Sequence, residues 1–177
     1  YYDRAKVISD MKSEQLKMSK PSYHGPDNIR SYNGMIPSLG ERVMIDPSAV
    51  VLGDLVMGDD VSVWPQCAIR ADMHRIRIGD RTNIQDGTVC HCDPRRPGDE
   101  KGSPLIIGDD VLIGHMAMIH GCTIKDRGFV GLGAIAMNKS IIGSDAMLAA
   151  GAMLTEGKVI EDRMLWAGRP ARPMKEL

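Results

Sequence analysis

Two histidines, His115 and His120, lie five residues apart in the segment IGHMAMIHGC. Imidazole is a common metal ligand, so their spacing decides whether both could bind one ion. On an α-helix a separation of five residues turns the rings roughly 140° apart, and on a straight strand it places them on opposite faces. Neither arrangement suits a single metal ion. Either the two histidines have unrelated roles, or a backbone arrangement other than a single helix or strand brings imidazoles together.

From about Gly40 onward the sequence repeats with a period of six residues. The first position of each unit is almost always aliphatic, the second is often glycine, and the fifth is often small or aliphatic. The first positions are Ile45, Val51, Met57, Val63, Ile69, Ile78, Ile84, Cys90, Ile107, Ile113, Ile119, Ile124, Val130, Ala136, Ile142, Leu148, Leu154 and Ile160. This period predicts an all-β parallel β-helix, in which three short strands form a triangular coil and the first residue points inward.

Length and composition limit the classes of protein to which the chain can belong. Its 177 residues suit one domain, and 19 glycines with only 4% aromatic residues predict a narrow core of small aliphatic side chains. A net charge of −1 argues against nucleic acid or a membrane surface as a partner, and no apolar run is long enough to span a bilayer. Four cysteines without a CxxC pair favour a reducing, cytoplasmic location.

The chain is predicted to contain an N-terminal extension and arm, a β-helix and a C-terminal tail, at residues 1–38, 39–169 and 170–177. Residues 1–17 are expected to be either an artificial addition or a mobile extension, and His24 a surface residue without a role. The segment 93–105 is rich in proline, glycine and charge and predicts an exposed excursion loop. In the tail, Pro170 and Pro173 exclude a regular helix.

Counting units around the coil brings distant histidines together. Units three steps apart share a face on consecutive coils, so His91 and His120, both at second positions, are predicted to stack. Arg70 takes the corresponding position on the same face one coil earlier. His115 lies on the preceding face, around one corner of the triangular coil. Side-by-side packing in a homotrimer would place His115 of one chain against His91 and His120 of its neighbour. Three histidines form the ligand set of a catalytic zinc with one open position.

Several short motifs point to a family when they are taken in order. They are Arg70–Asp72 (RAD), Thr82–Asp86 (TNIQD), His91, Gly114–Thr123 (GHMAMIHGCT) and Trp166–Ala171 (WAGRPA). Their order and spacing resemble the γ-class carbonic anhydrase family of hexapeptide-repeat proteins, over about residues 36–174. The resemblance implies a left-handed β-helix and a homotrimer. It implies zinc bound by His91, His115 and His120 across the interface, although iron or cobalt would also suit imidazole ligands.

The resemblance also implies roles for residues around the metal. At the motif positions, Arg70 and Asp72 are implied to form ion pairs at the interface. Asn83, Gln85 and Asp86 are implied to line the pocket. The implied activity is reversible hydration of CO₂ to bicarbonate. Zinc lowers the pKa of a bound water to about 7, the value known for carbonic anhydrase, so hydroxide forms at neutral pH. Gln85 would hold the water or the developing bicarbonate, and Asp86 would orient a ligand histidine or Gln85.

One position departs from the family pattern. Met73 stands where active members carry a glutamate that is proposed to move protons, and the loop offers only Asp93, Asp99 and Glu100. We therefore expect weak hydration activity that is limited by proton export.

Two other functions fit the same fold. A hexapeptide acyltransferase would use one interface histidine as a base, so three clustered histidines and the TNIQD stretch argue against it. A metal-stabilised scaffold without turnover would keep the ligands but lack activity.

Some reactive residues are expected to be structural. His74 is expected to be a satisfied structural residue, and Cys67 and Cys90 are expected to be core fillers. Cys92 is expected to face outward beside the site as an incidental thiol rather than a ligand.

Overall fold

The computed structural model describes residues 27–177, which form short β-strands joined by turns. These residues contain no helix, and hence none that could span a membrane. His24 and the predicted extension at 1–17 lie outside the described residues. The strands are β1 (Ile29–Arg30), β2 (Ser38–Leu39), β3 (Met44–Ile45), β4 (Val50–Met57), β5 (Ser62–Val63), β6 (Ala68–Ile78), β7 (Asn83–Ile84), β8 (Val89–His91), β9 (Leu105–Ile107), β10 (Leu112–Ile113), β11 (Met118–His120), β12 (Thr123–Ile124), β13 (Phe129–Val130), β14 (Ile135–Ala136), β15 (Ile141–Ile142), β16 (Met147–Leu148), β17 (Met153–Leu154), β18 (Val159–Ile160), β19 (Met164–Ala167) and β20 (Arg172–Glu176).

The strands stack into three parallel faces. Face A contains β8, β11, β14 and β17, and face B contains β9, β12, β15 and β18. Face C contains β3, β5, β7, β10, β13, β16 and β19. The longer strands β4 and β6 run from face A through a corner into face B. The structure therefore confirms the left-handed parallel β-helix that the hexapeptide period and the family resemblance predicted.

The core is built from the first residue of each unit. From Val51 to Ile160 these side chains are at most 4% exposed. Counterparts on consecutive coils pair in register, as Cys90 does with Ile119. Full burial of one isoleucine or leucine contributes about 1.5–3 kcal/mol. The narrow, mainly aliphatic core predicted from the composition is confirmed.

The corner between faces B and C explains why glycine and aspartate recur in the sequence. The Asp80 carboxylate accepts a hydrogen bond from the backbone N–H of Asp59 at 2.9 Å, and Asp109 accepts one from Asp80 at 2.9 Å. Each aspartate thereby ties its own coil to the preceding one. Gly58 permits this close approach, because a Cβ at that position would collide with the Asp80 carboxylate.

The next position of the same corner alternates in charge from coil to coil. The residues are Arg42, Asp60, Arg81, Asp110, Arg127, Asp145 and Arg163. Arg81 donates two hydrogen bonds to Asp110, at 2.7 and 2.9 Å. These hydrogen bonds lower the pKa of the Asp110 carboxyl. Exposed pairs of this kind each contribute little, but the alternation gives every inner member an oppositely charged neighbour on both sides.

Two irregular segments leave the corner between faces A and B. In β6, residues 72–75 lie opposite Asp54 alone, which forms a bulge that accounts for the offset in the hexapeptide period. One coil later, the excursion loop is closed by backbone hydrogen bonds that Asp93 and Ser103 exchange at 3.1 Å. The His74 ring connects the two segments, because its Nε2 lies 3.2 Å from the carbonyl oxygen of Lys101.

The C-terminal tail forms an antiparallel strand. β20 pairs with β19 and so adds the last strand to face C. The side chain of Trp166 on β19 continues the inward column beyond Leu148. The tail therefore covers the end of the coil with strand structure, as expected where Pro170 and Pro173 exclude a helix.

Candidate metal centre

Strands β8 and β11 place two imidazoles side by side on face A. Their register pairs His91 with His120, which confirms the predicted stacking. The ring centroids are 5.0 Å apart, with an angle of 67° between the ring planes. The Nδ1 atom of His91 lies 3.0 Å from the Nε2 atom of His120. Arg70 follows Ile69, which pairs with Cys90, and so begins the same column one coil earlier, as predicted.

The outer nitrogen of each ring contacts an oxygen atom. His91 Nε2 lies 3.0 Å from Asp72 Oδ1, and His120 Nδ1 lies 2.6 Å from the side-chain oxygen of Asn138. Because a carboxylate or amide oxygen only accepts hydrogen bonds, each outer nitrogen carries the proton. The two inner nitrogens then face each other with lone pairs at 3.0 Å. Such a contact is favourable only when a cation, either a proton or a metal ion, lies between them.

Asp72 is held in its ionised form beside His91. Its carboxylate also accepts a hydrogen bond from Arg70 Nη1 at 2.5 Å. Burial raises the pKa of the Asp72 carboxyl, but the hydrogen bond from His91 and the charge of Arg70 outweigh burial and lower that pKa. The bulge in β6 begins at Asp72, so an irregularity of the coil positions this carboxylate. Within one chain, Arg70 and Asp72 form an ion pair; the role of both residues at an interface stays a prediction.

His115 occupies a different edge, between faces C and A. Its Nδ1 atom lies 3.0 Å from Asp86 Oδ2, and both side chains are 45% exposed. Asp86 thus contacts one of the three predicted ligand histidines, and its role in orienting a metal ligand stays a prediction. Among residues 27–177, no group of three histidine, cysteine, aspartate or glutamate side chains is arranged to hold a metal ion. A single chain therefore keeps His115 apart from His91 and His120.

The other predicted pocket residues lie on face C and at its edge. Asn83 donates a hydrogen bond to the Ser62 hydroxyl at 2.7 Å, while its side-chain oxygen is buried without a partner. Gln85 lies opposite Gly114 of the next coil, which has no side chain to contact it. The Gln85 carboxamide has no hydrogen-bond partner among the residues described. Both amides therefore have hydrogen-bonding capacity that the described part of the chain does not use.

The nitrogen atoms present fit a zinc ion. Two imidazole nitrogens bound to one tetrahedral zinc lie roughly 3.3 Å apart, as follows from Zn–N distances of about 2.0–2.1 Å. The inner nitrogens of His91 and His120 are 3.0 Å apart in the structure. Each of the three histidines also has an oxygen partner on one nitrogen and leaves the other available, which is the usual arrangement of metal-binding histidines.

Cys92 contradicts the expectation that it faces outward. It is fully buried, and its thiol donates a hydrogen bond to the His74 carbonyl oxygen at 3.1 Å. Burial raises the pKa of this thiol to about 12, so it is not a thiolate at neutral pH. The bulge at 72–75 lies against this thiol, and the hexapeptide pattern marks that segment only as an offset of the repeat. Cys67 and Cys90 are buried, as predicted.

Asn138 is a site residue that the sequence reasoning missed. It lies eighteen residues after His120, on the next coil of face A, and its amide also donates a hydrogen bond to Asp93 at 2.8 Å. Counting units pairs His120 with Met137 and Asn138 with Gly121, so the count brings Asn138 to the neighbouring position but does not show that its side chain contacts His120.

Comparisons with known proteins identify relatives of this chain. Protein YrdA of Escherichia coli K12 is 43% identical over 151 residues, which cover 85% of this chain and 82% of YrdA. Mitochondrial gamma carbonic anhydrase 2 of Arabidopsis thaliana is 39% identical over 141 residues, 80% of this chain but only 50% of the plant protein. The chain belongs to the gamma carbonic anhydrase-like family.

The family is a branch of the hexapeptide-repeat proteins, and solved structures agree with that placement. A hexapeptide transferase family protein from Anaplasma phagocytophilum superposes with a TM-score of 0.77 at 37% identity, over 83% of this chain and 82% of that one. No family model matches the chain.

Proposed function

We propose that this gamma carbonic anhydrase-like chain forms a homotrimer that binds zinc at each interface and hydrates CO₂ reversibly to bicarbonate. In each site, one chain contributes His91 and His120, and its neighbour contributes His115. The carrying observation is the pair of inner nitrogens on His91 and His120, which lie 3.0 Å apart, close to the separation of two imidazole nitrogens bound to one tetrahedral zinc ion. The homologue named gamma carbonic anhydrase supports the reaction class.

The surface around His115 supports an interface with a second copy. Met116 follows His115 in the chain and is 72% exposed. Leu132 lies beside His115 on the next coil and is 53% exposed. Met118 on β11 and Met137 after β14 extend this apolar edge toward His120. Exposed apolar side chains that cluster in one place mark interaction surfaces. A neighbouring copy would cover this edge and bring its own histidines to it.

Residues of the chain hold the ligands in place. Asp72 accepts a hydrogen bond from Nε2 of His91, and Asp86 accepts one from Nδ1 of His115. Arg70 balances the charge of Asp72. The Gln85 carboxamide would accept from or donate to a water molecule or bicarbonate in the pocket, and the Oδ1 atom of Asn83, which has no partner among the described residues, would accept from one. Zinc, when bound, supplies Lewis acidity that makes water nucleophilic near neutral pH.

Export of the proton from the metal-bound water is expected to limit the proposed reaction. Of the loop acids, Asp93 is already hydrogen-bonded to Asn138, and Asp99 to Lys139 at 2.7 Å. Met73 lines a cavity of about 330 Å³ together with Asp72. An acid at this position would stand in that cavity, and methionine cannot take up or release protons. Weak activity that depends on buffer is therefore expected.

The test is metal analysis followed by stopped-flow CO₂ hydration on zinc-loaded and iron-loaded protein. We expect about one metal ion per chain and hydration that His115→Ala abolishes, since three ligands fall to two. Full metal content in a stable monomer would refute the shared site. A metal-bound trimer without hydration would instead indicate a scaffold. Transfer of an acyl group from an acyl-CoA without metal would instead indicate a hexapeptide acyltransferase.

A further inference from the structure

We infer that Asn138, held in one orientation by Asp93, fixes the tautomer of His120 that leaves Nε2 free to bind metal. The inference rests on the proposed function for its metal, but its structural part concerns the chain alone. Asn138 is a positioning residue, since it reaches the metal only through His120.

The contact between Asn138 and His120 determines where the ring proton lies. The Asn138 Oδ1 atom lies 2.6 Å from His120 Nδ1. An amide oxygen only accepts, so the proton must be on Nδ1 and the lone pair on Nε2. If the amide rotated by half a turn, its NH₂ group would face Nδ1 instead. The ring would then have to carry its proton on Nε2, and this nitrogen could no longer bind a metal ion.

Asp93 determines which way the amide faces. The Asn138 Nδ2 atom donates to Asp93 Oδ2 at 2.8 Å. In the rotated amide, the oxygen of Asn138 would face the carboxylate oxygen, and the two acceptors would repel each other. Asp93 is itself fixed at the base of the excursion loop, where its backbone exchanges two hydrogen bonds with Ser103. The loop closure therefore sets the orientation of a ligand ring.

This arrangement differs from that of the other two histidines. His91 and His115 each contact a carboxylate directly, and a carboxylate accepts hydrogen bonds from either oxygen. Asn138 has only one accepting atom, so its effect on His120 depends on a second residue. The dependence predicts a specific double-variant result. Asn138→Asp alone would place two carboxylates 2.8 Å apart, whereas Asn138→Asp combined with Asp93→Asn would restore one donor and one acceptor in exchanged positions.

The experiment measures the tautomer and the metal affinity separately. Ring ¹⁵N NMR of the metal-free, full-length protein reports which nitrogen of His120 carries the proton. We expect Nδ1–H in the wild type and in the double variant, and a mixture of tautomers in Asn138→Ala. Zinc affinity, measured by competition with a chelator, should fall about 10–100-fold in Asn138→Ala, the range usual for groups that orient a ligand, and should recover in the double variant.

Glu156→Ala is the matched control, because Glu156 occupies the same position of the next unit on face A and is exposed. It should change neither the tautomer nor the affinity. An unchanged tautomer and affinity in Asn138→Ala would overturn the inference, as would a double variant whose zinc affinity is no better than that of Asn138→Ala. If wild-type protein takes up no metal, the proposed function fails. The NMR comparison of wild type with Asn138→Ala then still decides the role of Asn138.

Discussion

Co-expression of two defective chains gives a direct test of the shared metal site. His115→Ala removes one half of each site and leaves His91 and His120 intact on the same chain; His91→Ala does the reverse. In a mixed trimer, a site is complete only where a His115→Ala chain donates its pair to a His91→Ala neighbour. A closed ring contains either two His115→Ala chains and one His91→Ala chain or the reverse. In both cases only one of its three interfaces holds a complete site.

The expected metal content follows from this geometry. Trimers selected with two different affinity tags, one on each chain, should hold about one zinc ion per three chains, since one of three heterologous interfaces is intact. Each variant alone should hold essentially none, because two imidazoles rarely retain zinc. Metal analysis of the doubly selected, metal-saturated protein gives the number.

A second pair of chains makes the control. His91→Ala and His120→Ala damage the same half of the site, since the two rings face each other within one chain. Their mixed trimers should therefore contain no complete site and no zinc. Equal metal content in the two mixtures, whether zero or not, would refute the division of ligands between neighbouring chains. A value near one third in the first mixture and zero in the second would establish it.

Three further predictions concern stability and turnover. Hydrogen bonds from Arg81 lower the pKa of the Asp110 carboxyl, so the stabilisation from this pair should be complete above about pH 4 and lost as the pH falls through the lowered pKa. In Arg81→Gln, the unfolding free energy from urea denaturation should depend less on pH in that range. Gly58→Ala should cost about 1–3 kcal/mol of unfolding free energy by overpacking, whereas Gly157→Asn, at a left-handed position with open space around it, should be nearly neutral by the same measurement. Met73→Glu, or a small imidazole-type buffer, should raise CO₂ turnover and leave catalytic efficiency nearly unchanged; turnover that is fast and indifferent to buffer would show that another group carries the proton.

The hexapeptide period is sufficient to predict most of the fold. A parallel β-helix has one inward residue per unit, so the aliphatic positions from Val51 to Ile160 give the faces, the core and the coil-to-coil pairing at once. The same count placed His91 beside His120 and His115 on another edge. Stacking in a solenoid depends on counting units, and counting needs only the sequence.

Tertiary structure alone decided the contacts made by the irregular segments. The bulge at 72–75 directs Asp72 to His91 and lies against the buried Cys92, and the closed excursion loop carries Asp93 to Asn138. These segments do not follow the repeat, so the period gives no information about where their side chains lie. Their positions depend on hydrogen bonds between residues far apart in the chain, such as that of the His74 ring with Lys101. The sequence by itself therefore determined the coil and the histidine columns, while the folded chain determined which nitrogen of His91 and of His120 is left free.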